Sequence, residues 1–251
     1  RQPAYSRDRA VPEKMKTPAT ERSACGAREH LRSFGRRRGR KPSARQEHLL
    51  RDVLPRFALD LSTAPGIVTE TLPAGARDIW LEIGFGGGEH LLGRAAEHPD
   101  ICFIGCEPFQ DGVVKILDAI ETGGRQNIRL YPEDARDLLR ALPPASIGRA
   151  FVLFPDPWPK RRHVKRRLLN TRTFALLARV VRAGAELRIA TDIGEYAAGI
   201  LLAAREEGSF RWCVSGASSW RERTAGWIRT RYEEKAIAEG RRCYFLSFER
   251  R

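Results

Sequence analysis

The 251 residues include only one methionine, five histidines and five cysteines. The cysteines (Cys25, Cys102, Cys106, Cys213, Cys243) form no C-x-x-C pair, and no group of histidines stands beside them. An odd, scattered set argues against a disulfide framework and against a zinc site, so no metal is expected. No stretch approaches the roughly 20 apolar residues that a membrane-spanning helix needs. The first residues carry no apolar signal core, so a cytoplasmic location and no membrane partner are expected. The dinucleotide fingerprint G-x-G-x-x-G is missing as well. Acids are in short supply: 31 against 45 lysines and arginines, a net charge of +14. Such an excess favours a polyanionic partner.

With 42% hydrophobic residues, the chain has enough apolar material for a real core. Its charge is unevenly spread. The first 77 residues hold 17 Lys/Arg and 8 Asp/Glu, which is most of the surplus. Residues 1–31 show no sustained periodicity and are expected to be a basic, mobile arm. Residues 32–251 are then the folded domain, entered through the basic run RSFGRRRGRKPSARQEHLL (32–50) and a short amphipathic element.

From residue 78 strand and helix patterns alternate. DIWLEIGF (78–85), ICFIGCEP (101–108), IRLYPED (128–134), RAFVLF (149–154) and AELRIATD (185–192) read as strands with their exits. Helices are expected at 88–97, around Val113, Ile116, Leu117 and Ile120, around Phe174, Leu177, Ala178 and Val181, and around Ala197, Ile200, Leu201 and Ala204. Short strands near 210–214 and 243–249 can close the sheet. The alternation predicts a doubly wound, mostly parallel α/β sheet.

In such a sheet ligands bind beyond the C-terminal strand ends, so the residues there carry the functional argument. After the first strand comes Glu82-Ile-Gly84-Phe-Gly86-Gly-Gly88. The glycines permit a tight turn and close backbone approach to a ligand. A carboxylate on the strand itself suits a cationic or amino-acid-bearing cofactor such as S-adenosylmethionine, and would be awkward beside a pyrophosphate. Glu107, about 20 residues further on, is placed to accept from ribose hydroxyls. Asp134, at the next strand end, is placed to meet an adenine edge. Strand four then runs into FPDPWPKRRHVKRR (154–167), where prolines stiffen the loop around Asp156 and Trp158. Six of the eight residues at 160–167 are Lys or Arg and none is acidic, as a phosphate-neutralising strip requires. Lys160, Arg162, His163, Val164, Lys165, Arg166 and Arg167 are its candidate RNA contacts. Trp158 has two roles open to it, stacking on a base or bracing the loop.

LEIGFGGGEH (81–90), FPDPWPKRRHVKRR (154–167), TDIGEYA (191–197) and TRYE (230–233) together resemble the bacterial tRNA (guanine-N7)-methyltransferases over roughly residues 32–250. The resemblance implies a Rossmann-like sheet of the class I methyltransferase type and S-adenosylmethionine as cofactor. It further implies a tRNA partner, methylated at the variable-loop guanine, with no obligatory protein partner. It assigns cofactor contacts to Glu82, Gly84, Gly86, Glu107, Asp134 and Asp156, with Asp156 also the catalytic residue. Substrate contacts fall on Lys160, Asp192, Thr230, Arg231, Tyr232 and Glu233. Arg231 and Tyr232 stand where the family usually has Lys and Phe, so charge and aromaticity are kept. Two other readings remain at this point. One is a non-catalytic RNA-binding protein of the same fold, against which the intact acids speak. The other is an NAD-dependent enzyme, disfavoured by the glycine spacing.

Overall fold

A computed structural model describes residues 37, 39, 41–61, 75–223 and 226–251. The chain divides between Arg32 and Ser33. The expected arm, residues 1–31, lies outside the described residues, as does most of the basic run after it.

Among the described residues seven strands form one sheet: β1 Asp78–Ile83, β2 Ile101–Cys106, β3 Ile128–Tyr131, β4 Ile147–Leu153, β5 Val181–Thr191, β6 Phe210–Trp212 and β7 Tyr244–Arg250. Their order is β3-β2-β1-β4-β5-β7-β6. Pairing is parallel from β3 to β5, while β7 lies antiparallel to both β5 and β6. All six residues of β2 are buried. That is the pattern of an inner parallel strand covered on both faces, and it explains why ICFIGC reads as an unbroken apolar run. The strand order reverses between β1 and β4, so a crevice opens beyond their C-terminal ends.

Among the described residues the helices, in chain order, are α1 Ala44–His48, α2 Leu54–Phe57, α3 Glu89–Glu97, α4 Gln110–Gly123, α5 Ala135–Ala141, α6 Thr171–Val180, α7 Gly194–Glu207, α8 Ser218–Arg221 and α9 Arg231–Ala238. A π turn, Leu49–Val53, joins α1 to α2. Val113, Ile116, Leu117 and Ile120 of α4 face one apolar cluster, with Leu49, Trp80, Phe103 and Phe151. Phe174 and Leu177 of α6 and Ala197 and Ile200 of α7 face the other, with Leu81, Ile83 and Ile104. Each fully buried Leu, Ile or Phe contributes about 1.5–3 kcal/mol relative to exposure, so these two layers hold the strand ends in register.

The sequence pattern does not reveal α5 and α9. Both are short, and each begins at a side-chain cap: Asp134 accepts from the Arg136 amide, and Thr230 accepts from the Glu233 amide. Caps of this kind fix a helix start without a long periodic stripe. Strand β5 begins at Val181 rather than 185, because α6 ends at Val180 and runs into it directly.

Candidate active site

The exits of β1, β2, β3 and β4 surround one cavity of about 410 Å³. On the β1 side, Gly84 and Gly86 both have left-handed φ (76° and 56°), which bends the chain away from the sheet and into α3. Tyr232, at the start of α9, closes over this turn. A Cβ on Gly86 would meet its Cε2 at 2.8 Å.

Glu107 follows β2 and is 9% exposed. One carboxylate oxygen accepts from the Gly86 amide at 2.9 Å and the other from the Phe109 amide at 2.9 Å. Burial pushes its pKa up, and the two amides oppose that push only in part. The carboxylate therefore ties the exit of β2 to the glycine turn.

Asp134 follows β3. Its Oδ1 accepts from the amide and the Nε of Arg136, both at 2.9 Å, and its Oδ2 accepts from Arg136 Nη2 at 2.5 Å. Burial works to raise its pKa, but the hydrogen bonds and charge of Arg136 outweigh it and the net shift is downward. Both residues line the cavity.

Asp156 stands at the cavity mouth, on the loop that leaves β4. The protein packed around its carboxyl raises its pKa by desolvation alone, although the residue as a whole is solvent-accessible. The loop is backed by unusual geometry: Phe154 (φ 51°) and Trp158 (φ 42°) are both left-handed without being glycine. A bulky residue in that region is a genuine outlier, costing on the order of 1 kcal/mol, and such strain gathers at functional sites. The Trp158 indole meets His163 edge-on at 5.7 Å and lies 5.1 Å from the Arg166 guanidinium. These contacts bind the loop to the 3₁₀ turn Arg161–Arg166 that carries the basic strip. Partial desolvation and the cations Arg166, Arg162 and Lys160 lower the His163 pKa.

The cavity thus gathers Gly84, Gly86, Glu107, Asp134, Asp156, Arg166 and Tyr232, but several expected residues lie elsewhere. Glu82 sits behind the turn, buried, and accepts from Nδ1 of His90 at 2.7 Å; both side chains are under 5% exposed. Lys160, Arg162, Val164 and Lys165 are exposed on or next to the 3₁₀ turn. Asp192 pairs with Arg241 at 2.7 Å. Thr230 is the buried cap of α9. Glu233 is buried, 3.6 Å from Arg223, and its pKa is raised chiefly by that burial. Arg231 lies 3.6 Å from Glu89, with its guanidinium 5.0 Å from the Tyr232 ring.

Arg167 departs from the expected RNA contact. It is 6% exposed, donates to the Pro157 carbonyl at 2.8 Å and lies 4.9 Å from the Tyr196 ring. A guanidinium turned inward this way holds the loop and is not offered to a phosphate. Sequence reasoning also missed Arg136, Phe154 and His90. Arg136 is signalled only by its place two residues after a capping Asp, and a cap needs no such partner. Among the described residues, no cluster of His, Cys, Asp and Glu suits a metal ion, and no helix is long and apolar enough to cross a membrane.

Residues 76–246 match a family model described as "Putative methyltransferase". The chain is 43% identical over 229 residues to a tRNA (guanine-N(7)-)-methyltransferase of Jannaschia sp. (strain CCS1), covering 89% of this chain and 96% of that one. It is 45% identical over 218 residues to the protein of the same name from Chelativorans sp. (strain BNC1), covering 86% and 94%. Among solved structures, a 16S rRNA methyltransferase, KamB, superposes with a TM-score of 0.55 at 18% identity, over 75% of this chain and 95% of that one. An antibiotic-related methyltransferase gives 0.53 at 16% identity, over 77% and 96%. At such identities these two likenesses bear on the fold alone, and that fold is the methyltransferase sheet.

Proposed function

Because this chain belongs to the tRNA (guanine-N(7)-)-methyltransferases, we propose that it methylates the variable-loop guanine of tRNA at N7, with S-adenosylmethionine as donor. The observation that carries the reading is the meeting of Glu107, Asp134 and Asp156 around one cavity beyond the glycine turn. Three acids beside a left-handed glycine turn fit a donor that carries an amine, a ribose diol, an adenine and a positive sulfur. The bound donor supplies an electrophilic methyl group.

Glu107 uses the lone pairs not taken by Gly86 and Phe109 to accept from the ribose hydroxyls. Asp134 accepts from the adenine amine. Glu82 acts from behind, holding β1 to α3 through His90 and so steadying the glycine turn. Guanine N7 is a lone-pair nucleophile with no proton to lose, so the chemistry needs no general base. What the protein provides is alignment, which accounts for about 7–11 kcal/mol in well-oriented systems. Asp156 orients the guanine through its N–H groups and faces the positive charge that develops on the ring. Tyr232 borders the guanine, and Lys160, Asp192, Thr230, Arg231 and Glu233 shape the substrate side around α9. Lys160, Arg162, Lys165 and Arg166 meet tRNA phosphates. The work is done in the cytoplasm on tRNA, without an obligatory protein partner.

The test is incubation with methyl-labelled S-adenosylmethionine and bulk tRNA, followed by nucleoside analysis and mapping of the labelled position. Label in 7-methylguanosine of the variable loop is expected. Label in any other nucleoside overturns the substrate assignment.

A further inference from the structure

The Asp134–Arg136 pair is built more tightly than an acid that merely borders a ligand. The two side chains are 15% and 11% exposed, and both line the cavity. Arg136 approaches with a two-pronged fork, Nε to Oδ1 and Nη2 to Oδ2, while its own amide also donates to Oδ1. A carboxylate offers about four lone-pair sites. Three are filled by Arg136, two on Oδ1 and one on Oδ2, so the acceptor capacity left to Asp134 is a single site on Oδ2. A fork of this kind fixes the plane of the carboxylate as well as its charge.

We propose that Arg136 is a positioning residue for base selection in the cofactor subsite: its fork holds Asp134 as a one-site acceptor aimed at a 6-amino group. The inference rests on the S-adenosylmethionine reading above. A carboxylate held in this way rewards a donor at purine position 6 and penalises an acceptor there. A ligand with a 6-oxo group brings oxygen against oxygen, with no proton between them. Without the fork, the carboxylate can turn away from either ligand, and the preference for the amine falls.

The experiment is calorimetric titration of the full chain with S-adenosylhomocysteine and with its 6-oxo (hypoxanthine) counterpart, for the wild type, D134N, R136M and R136K. The wild type is expected to bind the 6-amino ligand at least about tenfold more tightly, the worth of one hydrogen bond to a charged group. In R136M the 6-amino ligand should weaken by about tenfold while the 6-oxo ligand changes little, so the preference collapses. In D134N the preference should be lost, because an amide can donate to a 6-oxo group. If R136M weakens both ligands equally, or leaves the preference intact while D134N removes it, Arg136 is a structural brace and the proposal fails. If R136M has no folding transition, R136K carries the test. It keeps the charge without the fork, and full retention of the wild-type preference overturns the proposal. Failure of the cofactor reading looks different: the wild type binds neither ligand, or D134N keeps the full preference.

Discussion

The ring of Tyr232 lies on the backbone of Gly86, so close that a single methyl group on that glycine would meet it at 2.8 Å. The first residue of α9, Arg231, packs in the same way against Gly87, and Ile228 packs against Gly93 of α3. A segment from near the C-terminus therefore forms the outer wall of a turn that belongs to the first strand. The glycine turn and the start of α9 are one packed unit, and a change on one side is felt on the other.

Gly112, in the first turn of α4, presses on the same turn from below. A Cβ there would collide with the Gly86 carbonyl oxygen and come within 3.2 Å of Glu107 Cγ. Helix propensity alone favours Gly112→Ala by about 1 kcal/mol. We expect the opposite where it matters: S-adenosylhomocysteine affinity should drop at least about tenfold by calorimetry, because the turn and Glu107 must both move. Unchanged affinity would show that the turn has slack that the packing does not suggest.

Asp156 should display a trade between stability and activity. Desolvation raises its pKa in the folded chain. A group raised by folding supports the fold most below its unfolded pKa, and that support is lost as pH rises through the folded value. At neutral pH the ionised carboxylate is therefore a cost to the fold. Asp156→Asn is expected to raise Tm at neutral pH, with the gain disappearing below about pH 4. Its kcat/KM on tRNA should fall about 100-fold or more, with tRNA affinity near wild type. A lower Tm at neutral pH, or full activity, contradicts this account.

The basic strip divides into two kinds of cation. Replacing Lys160, Arg162 and Lys165 together with alanine should weaken tRNA binding and reduce the slope of log affinity against log salt by about 2–3. Arg167→Ala should leave that slope alone and lower Tm instead, since its guanidinium holds the Pro157 carbonyl. Each kcal/mol lost corresponds to about 2–4 °C in a chain of this size. Equal salt slopes for the wild type and the triple variant would mean the strip does not meet phosphates.

Trp158 gives a test of backbone strain. Its φ of 42° suits glycine, so Trp158→Gly and Trp158→Ala should differ although both lose the indole. The glycine variant is expected to be the more stable, by about 1 kcal/mol. Equal melting temperatures would mean that the loop relaxes once the ring is gone.

Much of this was readable along the chain. The strands and the longer helices follow from apolar periodicity, which is local. The glycine turn and the acids after β2, β3 and β4 follow from where strands end. Harder to see was which charge faces inward. Arg166 and Arg167 are adjacent and chemically identical, yet one lines the cavity and the other is 6% exposed beneath the loop. No pattern of residue types distinguishes them, because the difference is set by the left-handed Trp158 and by the position of Tyr196 on α7. Glu82 is similar. Its place before the glycines suggested a ligand contact, and its partner is His90, eight residues on, across the turn.

By itself the sequence determined the sheet, the cofactor class, and the loop of Asp156 next to its basic strip, since each depends on residue type, spacing or turn chemistry within a short stretch. Tertiary structure decided the closure of Tyr232 over Gly86, the inward turn of Arg167, the insertion of β7 between β5 and β6, and the fork of Arg136 on Asp134. Those outcomes depend on which distant surfaces pack together, and packing is a property of the whole core.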